Sequence, residues 1–142
     1  MTPHESLSQM AEKYSLSVIY GFGSRSKEAL DFISGRNRIF NFKGADLDIG
    51  VLPETTVRLT VHQKVDLAAD LETLFEAHRV DLVGLPEADP FLAANIIRGE
   101  RLYCRDETEA DEYELYVLRR AGDLAPLERE RIALILGKGR RQ

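Results

Sequence analysis

This chain is poor in cysteine, histidine and basic charge, and each shortage closes off a class of function. Cys104 is the one cysteine in 142 residues, so no internal disulfide can form and a cytoplasmic setting is expected. The three histidines, His4, His62 and His78, are scattered without ligand spacing. No zinc site and no Ser-His-Asp or Cys-His hydrolase can be assembled from them. No apolar run approaches the ~20 residues that span a bilayer, and the opening MTPHESLSQMAEKY has no signal-peptide pattern, so no membrane partner is expected. Lys and Arg number 19 against 24 Asp and Glu, a net charge of −5. A protein that grips nucleic acid usually carries a basic field, so this balance argues against nucleic acid as the main ligand. Internal repeats and low-complexity segments are also missing. What remains is an ordinary folded composition, 44% hydrophobic and 30% charged, long enough for one domain over residues 1–142.

Strand and helix signals alternate along that length. Residues 4–14 carry a helical stripe of Leu7, Met10, Ala11 and Tyr14. SVIYGFG (17–23) reads as a strand, and a helix over 24–35 stops at Gly35. NRIFNFKGA (36–45 with its flank) is open between loop and edge strand. DLDIGVL (46–52) is a second strand ended by Pro53. The helix over 57–77 is marked by Val61, Val65, Ala68, Leu71, Leu74 and Phe75. A strand at 79–85, a helix at 90–100 and a strand at 101–105 follow, then two helices at about 107–121 and 125–137 separated by Gly122. The fold class is therefore α/β (α+β), a small mixed sheet with flanking helices and two C-terminal helices.

Three features on these elements carry chemistry. In GFGS (21–24) a strand runs into a helix. Its glycines let the backbone approach a ligand, and the helix N-terminus offers free N–H groups to phosphate. Ser24 adds a hydroxyl and Arg25 a cation. The second is the pair Asp46 and Asp48. Residues two apart on a strand share a face, roughly 6.5–7 Å apart at about 3.3 Å per residue, and two carboxylates there repel. Solvation at the strand mouth would explain one of them, but Leu47, Ile49, Val51 and Leu52 mark the strand as buried. The third is Asp81 in RVDLVGL, which either pairs with Arg79 or joins the other two. Three carboxylates on neighbouring strands suit Mg²⁺, a hard cation that prefers a few carboxylates together with phosphate oxygens and water. Two such ions can clamp a phosphoryl transfer.

With GFGS, DLD and the third Asp in order, the chain resembles the DNA polymerase β-like nucleotidyltransferase superfamily. It is most similar to the minimal nucleotidyltransferases (MNT), many of them antitoxins paired with HEPN-domain toxins. The resemblance runs over about residues 16–105, and RGERLYCRD (98–106) is similar to the segment that closes these domains. It implies that Gly23, Ser24 and Arg25 bind nucleotide, that Asp46, Asp48 and Asp81 bind metal and are catalytic, and that Asp81 helps activate the acceptor hydroxyl. It further implies ATP as substrate, two Mg²⁺ ions, and transfer of AMP to a tyrosine of a HEPN-type toxin. The chain departs from the family in placing 21 residues (25–45) between GS and DxD, more than is usual. Lys27, Arg36, Arg38 and Lys43 interleave there with Phe32, Phe40 and Phe42, either as a solvated basic surface over packed rings or as a flap or docking surface.

Other readings stand beside this one. The domain could neutralise a partner by occlusion without catalysis, or transfer a nucleotide to a small molecule such as an aminoglycoside. A dinucleotide-binding reading of GFGSRS is weakened by Ser26 in place of the third glycine of GxGxxG. Cys104 is expected to be a packed side chain, Asp66 and Asp70 the wet face of their helix, and Tyr113 and Tyr116 helix-packing residues. The apolar run Ile132–Leu136 is wider than a surface helix needs and suggests a partner or an oligomer through the C-terminal helix.

Overall fold

A computed structural model of the protein describes residues 1–36 and 44–135, with side chains described as far as Gly122. Helix α1 (Pro3–Lys13) starts from a capping box between Thr2 and Glu5, with Pro3 in the first turn, and buries Leu7 and Ala11. Strand β1 (Leu16–Phe22) is buried along nearly its whole length. Helix α2 (Ser26–Ser34) ends at Gly35, whose φ of +72° suits the left-handed stop. Strand β2 (Asp46–Pro53) leads to helix α3 (Val61–Phe75), opened by a second capping box between Thr60 and Gln63. Strand β3 (Arg79–Gly84) runs into a 3-10 turn at Leu85–Glu87. Helix α4 (Pro90–Ile97) is capped by Asp89, and strand β4 (Glu100–Cys104) precedes helix α5 (Glu107–Ile135).

The four strands form one mixed sheet in the order β3-β2-β1-β4. β1 pairs antiparallel with β2 and β4, while β2 and β3 run parallel, joined by α3. Alternation along the strands then sorts side chains into two cores. Ile19, Leu47, Ile49, Val51, Val80 and Leu102 pack with α1, α2 and α3. Val18 and Tyr20 pack with α4 and α5, through Ala93, Ile96, Ala110 and Val117. Helices thus cover both faces of the sheet.

Three expectations are corrected. The C-terminal region is one helix of 29 residues, not two. Gly122 lies exposed inside it, and a glycine in an exposed helix costs about 1 kcal/mol relative to Ala without ending the helix. On α3, Val61 and Val65 are 78% and 61% exposed, and the buried stripe is Leu67, Leu71 and Phe75. Steps of four residues keep those three within about 80° of one face, whereas Val65 points well away from it. Asp70 is not simply wet: its carboxylate accepts a 2.7 Å hydrogen bond from the Tyr14 hydroxyl and pairs with Lys13 at 3.1 Å. Arg38, Phe40, Phe42 and Lys43, and the run at Ile132–Leu136, lie outside the described residues or side chains. No helix among the described residues is long and apolar enough to cross a membrane.

Candidate active site

The face of the sheet that carries α4 and α5 also carries the carboxylates. On β2 that face is Asp46, Asp48, Gly50 and Leu52, and the last belongs to the core under α4 and α5. The parallel register sets Asp48 beside Asp81 and Asp46 beside Arg79, so these four side chains occupy adjacent corners of one patch. On the other side Phe22, at the end of β1, is paired with Asp48. The shared face expected for Asp46 and Asp48 is what β2 provides, and the register adds Asp81 to it.

Gly23 and Ser24 follow directly from Phe22, in the turn that opens α2. Gly23 has φ +78°, and a Cβ there would lie 2.5 Å from Asp48 Oδ2. The absence of a side chain is what lets the turn's backbone rest against the carboxylate. Ser24 is exposed beside it. Arg25 occupies the N-cap position of α2 without capping it by its side chain; its Nε lies 2.7 Å from Glu28 Oε1. The Ser26 N–H donates to the Gly23 carbonyl at 3.3 Å, and no Arg25 side-chain cap occupies the N–H groups that follow, which suit an anionic group. Gly99 closes the far wall: a Cβ there would collide with the Gly21 carbonyl and sit 3.0 Å from Phe22 Cα. The α4–β4 junction thus runs tight against the end of β1, a packing demand that RGE at 98–100 does not advertise in sequence.

Burial raises the carboxyl of Asp48, and Asp81 and then Asp46 raise it further by repulsion. Hard oxygen donors on one face, beside a turn suited to phosphate and strained by mutual repulsion, fit Mg²⁺ in donor chemistry. They do not yet converge: among the described residues no three His, Cys, Asp or Glu side chains are arranged to hold a metal ion. Asp81 is turned to Arg79, Nε to Oδ1 2.9 Å, so the ion pair considered from sequence is present together with the shared face.

A second polar cluster escaped sequence reading. Arg101 reaches Glu107, Asp111 and Glu114 of α5 at 2.6–2.7 Å, and the fully buried Tyr20 donates its hydroxyl to Glu114 at 2.7 Å. It fastens α5 to β1 and β4. Tyr20 and Glu114 are 94 residues apart, so no local pattern links them. Cys104 is half-buried and its thiol is pushed up by burial, as a packed side chain rather than a nucleophile. A cavity of about 410 Å³, lined by Leu52, Glu54, Lys64, Glu109 and Tyr113, sits at the opposite end of β2 from the carboxylates.

A mixed four-stranded sheet bearing paired carboxylates beside a Gly-Ser helix start defines the nucleotidyltransferase class. The Polymerase beta, Nucleotidyltransferase family profile matches residues 5–108, and the chain belongs to that family. No curated protein matches the sequence. Among solved structures, the fold is similar to a mutant of the toxin–antitoxin MntA–HpeT in which two aspartates, two positions apart, are changed to glutamate. That likeness has TM-score 0.71 at 18% identity and covers 94% of this chain and 98% of the other. A toxin–antitoxin structure with AMP-PNP gives 0.68 at 18% identity, over 94% and 98%. A tri-AMPylated HEPN toxin of Shewanella oneidensis in complex with its MNT antitoxin gives 0.60 at 23% identity, over 94% and 92%.

Proposed function

We propose that the protein transfers AMP from ATP to a hydroxyl with Mg²⁺ as cofactor, and that the acceptor is a tyrosine of a HEPN-type toxin, which makes the protein an antitoxin. The observation that carries this reading is the patch of Asp46, Asp48 and Asp81 with the Gly23 backbone against Asp48. Family membership supports the reaction type. The structural neighbours support the setting: one holds AMP-PNP and another contains an AMPylated toxin.

In this reading Asp46 and Asp48, with Asp81, hold the metal. Bound there, Mg²⁺ would neutralise phosphate charge and ease ionisation of the attacking hydroxyl. The Gly23 backbone, the Ser24 hydroxyl and the first turn of α2 hold the β- and γ-phosphates, with Arg25 adding positive charge. Asp81 orients the acceptor hydroxyl and takes its proton. The hydroxyl oxygen then bonds to the α-phosphorus as the bond to pyrophosphate breaks. Asp46, Gly23 and Ser24 are all exposed, so a side chain of a folded partner can reach the site.

Calorimetry with Mg²⁺-ATP tests the nucleotide site. Wild type is expected to bind, and an Asp46→Asn/Asp48→Asn variant is expected to lose binding. With the toxin present, Asp48→Asn should fold normally and transfer no AMP; a variant that still transfers would remove Asp48 from catalysis. One observation favours neutralisation without catalysis, the engagement of Asp81 by Arg79. That reading gains if wild type fails to bind Mg²⁺-ATP both alone and with the partner.

A further inference from the structure

We infer that Arg79 stands in for a cation in this site, engaging the Asp81 carboxylate and having to release it before all three carboxylates can act together. The inference rests on the metal-dependent reading above and goes beyond it, because it gives this chain a residue that sets how readily the site loads.

Register is the first support. β2 contributes Asp46 and Asp48, β3 contributes Arg79 and Asp81, and Arg79 lies beside Asp46 as Asp81 lies beside Asp48. All four side chains leave the same face, so the strand register delivers Arg79 to the carboxylate patch. Its Nε occupies Asp81 Oδ1 at 2.9 Å. Among the described residues no ion pair reaches Asp46 or Asp48, and Asp48 keeps its repulsion from Asp81 despite the arginine. Among the described residues, the four that the register brings together carry three carboxylates and one guanidinium, a formal excess of two negative charges that suits a divalent ion.

Exposure decides whether this is a lock or a brake. The side chains of Arg79 and Asp81 are 65% and 40% exposed, so water can take over each group when they separate. A pair so exposed contributes at most about a fivefold factor to an equilibrium, because solvent screens it. Arg79 therefore raises the metal concentration needed to load the site but does not forbid loading.

Mn²⁺ alone, followed by electron paramagnetic resonance on the full chain without nucleotide, tests this. Arg79→Gln is expected to tighten Mn²⁺ about two- to fivefold. The tightening should vanish in an Asp81→Asn background, where the arginine has no carboxylate to hold. Unchanged or weaker binding by Arg79→Gln overturns the inference, as does a tightening that persists in Asp81→Asn, which would be a general effect of removing charge. Mn²⁺ binding absent from wild type, or equal in Asp46→Asn/Asp48→Asn, instead removes the metal reading itself, whatever Arg79 does.

Discussion

Gly23 shows how much of a site can rest on one missing side chain. Its φ of +78° belongs to the left-handed region, where an L-residue costs roughly 1–2 kcal/mol, and the position of its absent Cβ is claimed by Asp48 Oδ2. Gly23→Ala is therefore expected to lower stability by about 1–2 kcal/mol and to push the Asp48 carboxylate aside. Chemical denaturation and Mg²⁺-ATP calorimetry together check this: both stability and affinity should fall. The glycine was visible in GFGS, but its contact with Asp48 was not, because the two are 25 positions apart in the sequence.

Elements obey rules that sequence states clearly at their starts and less clearly inside. The capping boxes Thr2/Glu5 and Thr60/Gln63 fix where α1 and α3 begin. Gly122, by contrast, signalled a break that α5 ignores. A glycine there costs about 1 kcal/mol, too little to end a helix that Ala110, Val117 and Ala121 anchor up to that point. A Cβ at Gly122 would meet nothing within 4 Å. Gly122→Ala is thus expected to stabilise the protein by about 0.5–1 kcal/mol. A urea midpoint that falls instead would mean the helix is broken there. On α3 the apolar residues outnumber what the core accepts, so the composition named the helix without naming its buried side.

Across the whole molecule, ties between distant segments hold the helical layers in place. Asp70 on α3 meets Tyr14 and Lys13 at the end of α1, 56 and 57 residues away. The Tyr14 hydroxyl bond, with Lys13 beside it, lowers the Asp70 carboxyl below its ordinary value against the effect of burial. A lowered folded-state value means stability that is present above the unfolded carboxylate range and lost as pH falls through the lowered value. Asp70→Asn should therefore cost about 1 kcal/mol near neutral pH, a small figure because the pair is partly solvated. Melting curves of wild type and variant should converge as pH drops below the ordinary Asp range. A gap independent of pH would show that charge on Asp70 contributes nothing.

What the sequence determined by itself is the order of elements and the chemistry they bear: alternating strands and helices, a glycine-serine helix start, and carboxylates spaced two apart inside apolar strands. Those are local facts, set by periodicity, caps and side-chain alternation, and they sufficed for the fold class and for singling out Gly23, Ser24, Asp46, Asp48 and Asp81 as candidates. Arg25 follows in the same turn, though its guanidinium lies against Glu28. Tertiary structure decided which strands adjoin. Only the order β3-β2-β1-β4 puts Asp81 beside Asp48, delivers Arg79 to the same patch, and joins Tyr20 to Glu114. Strand pairing is a contest among non-local partners, settled by the packing of two cores at once, and no window of sequence contains that contest.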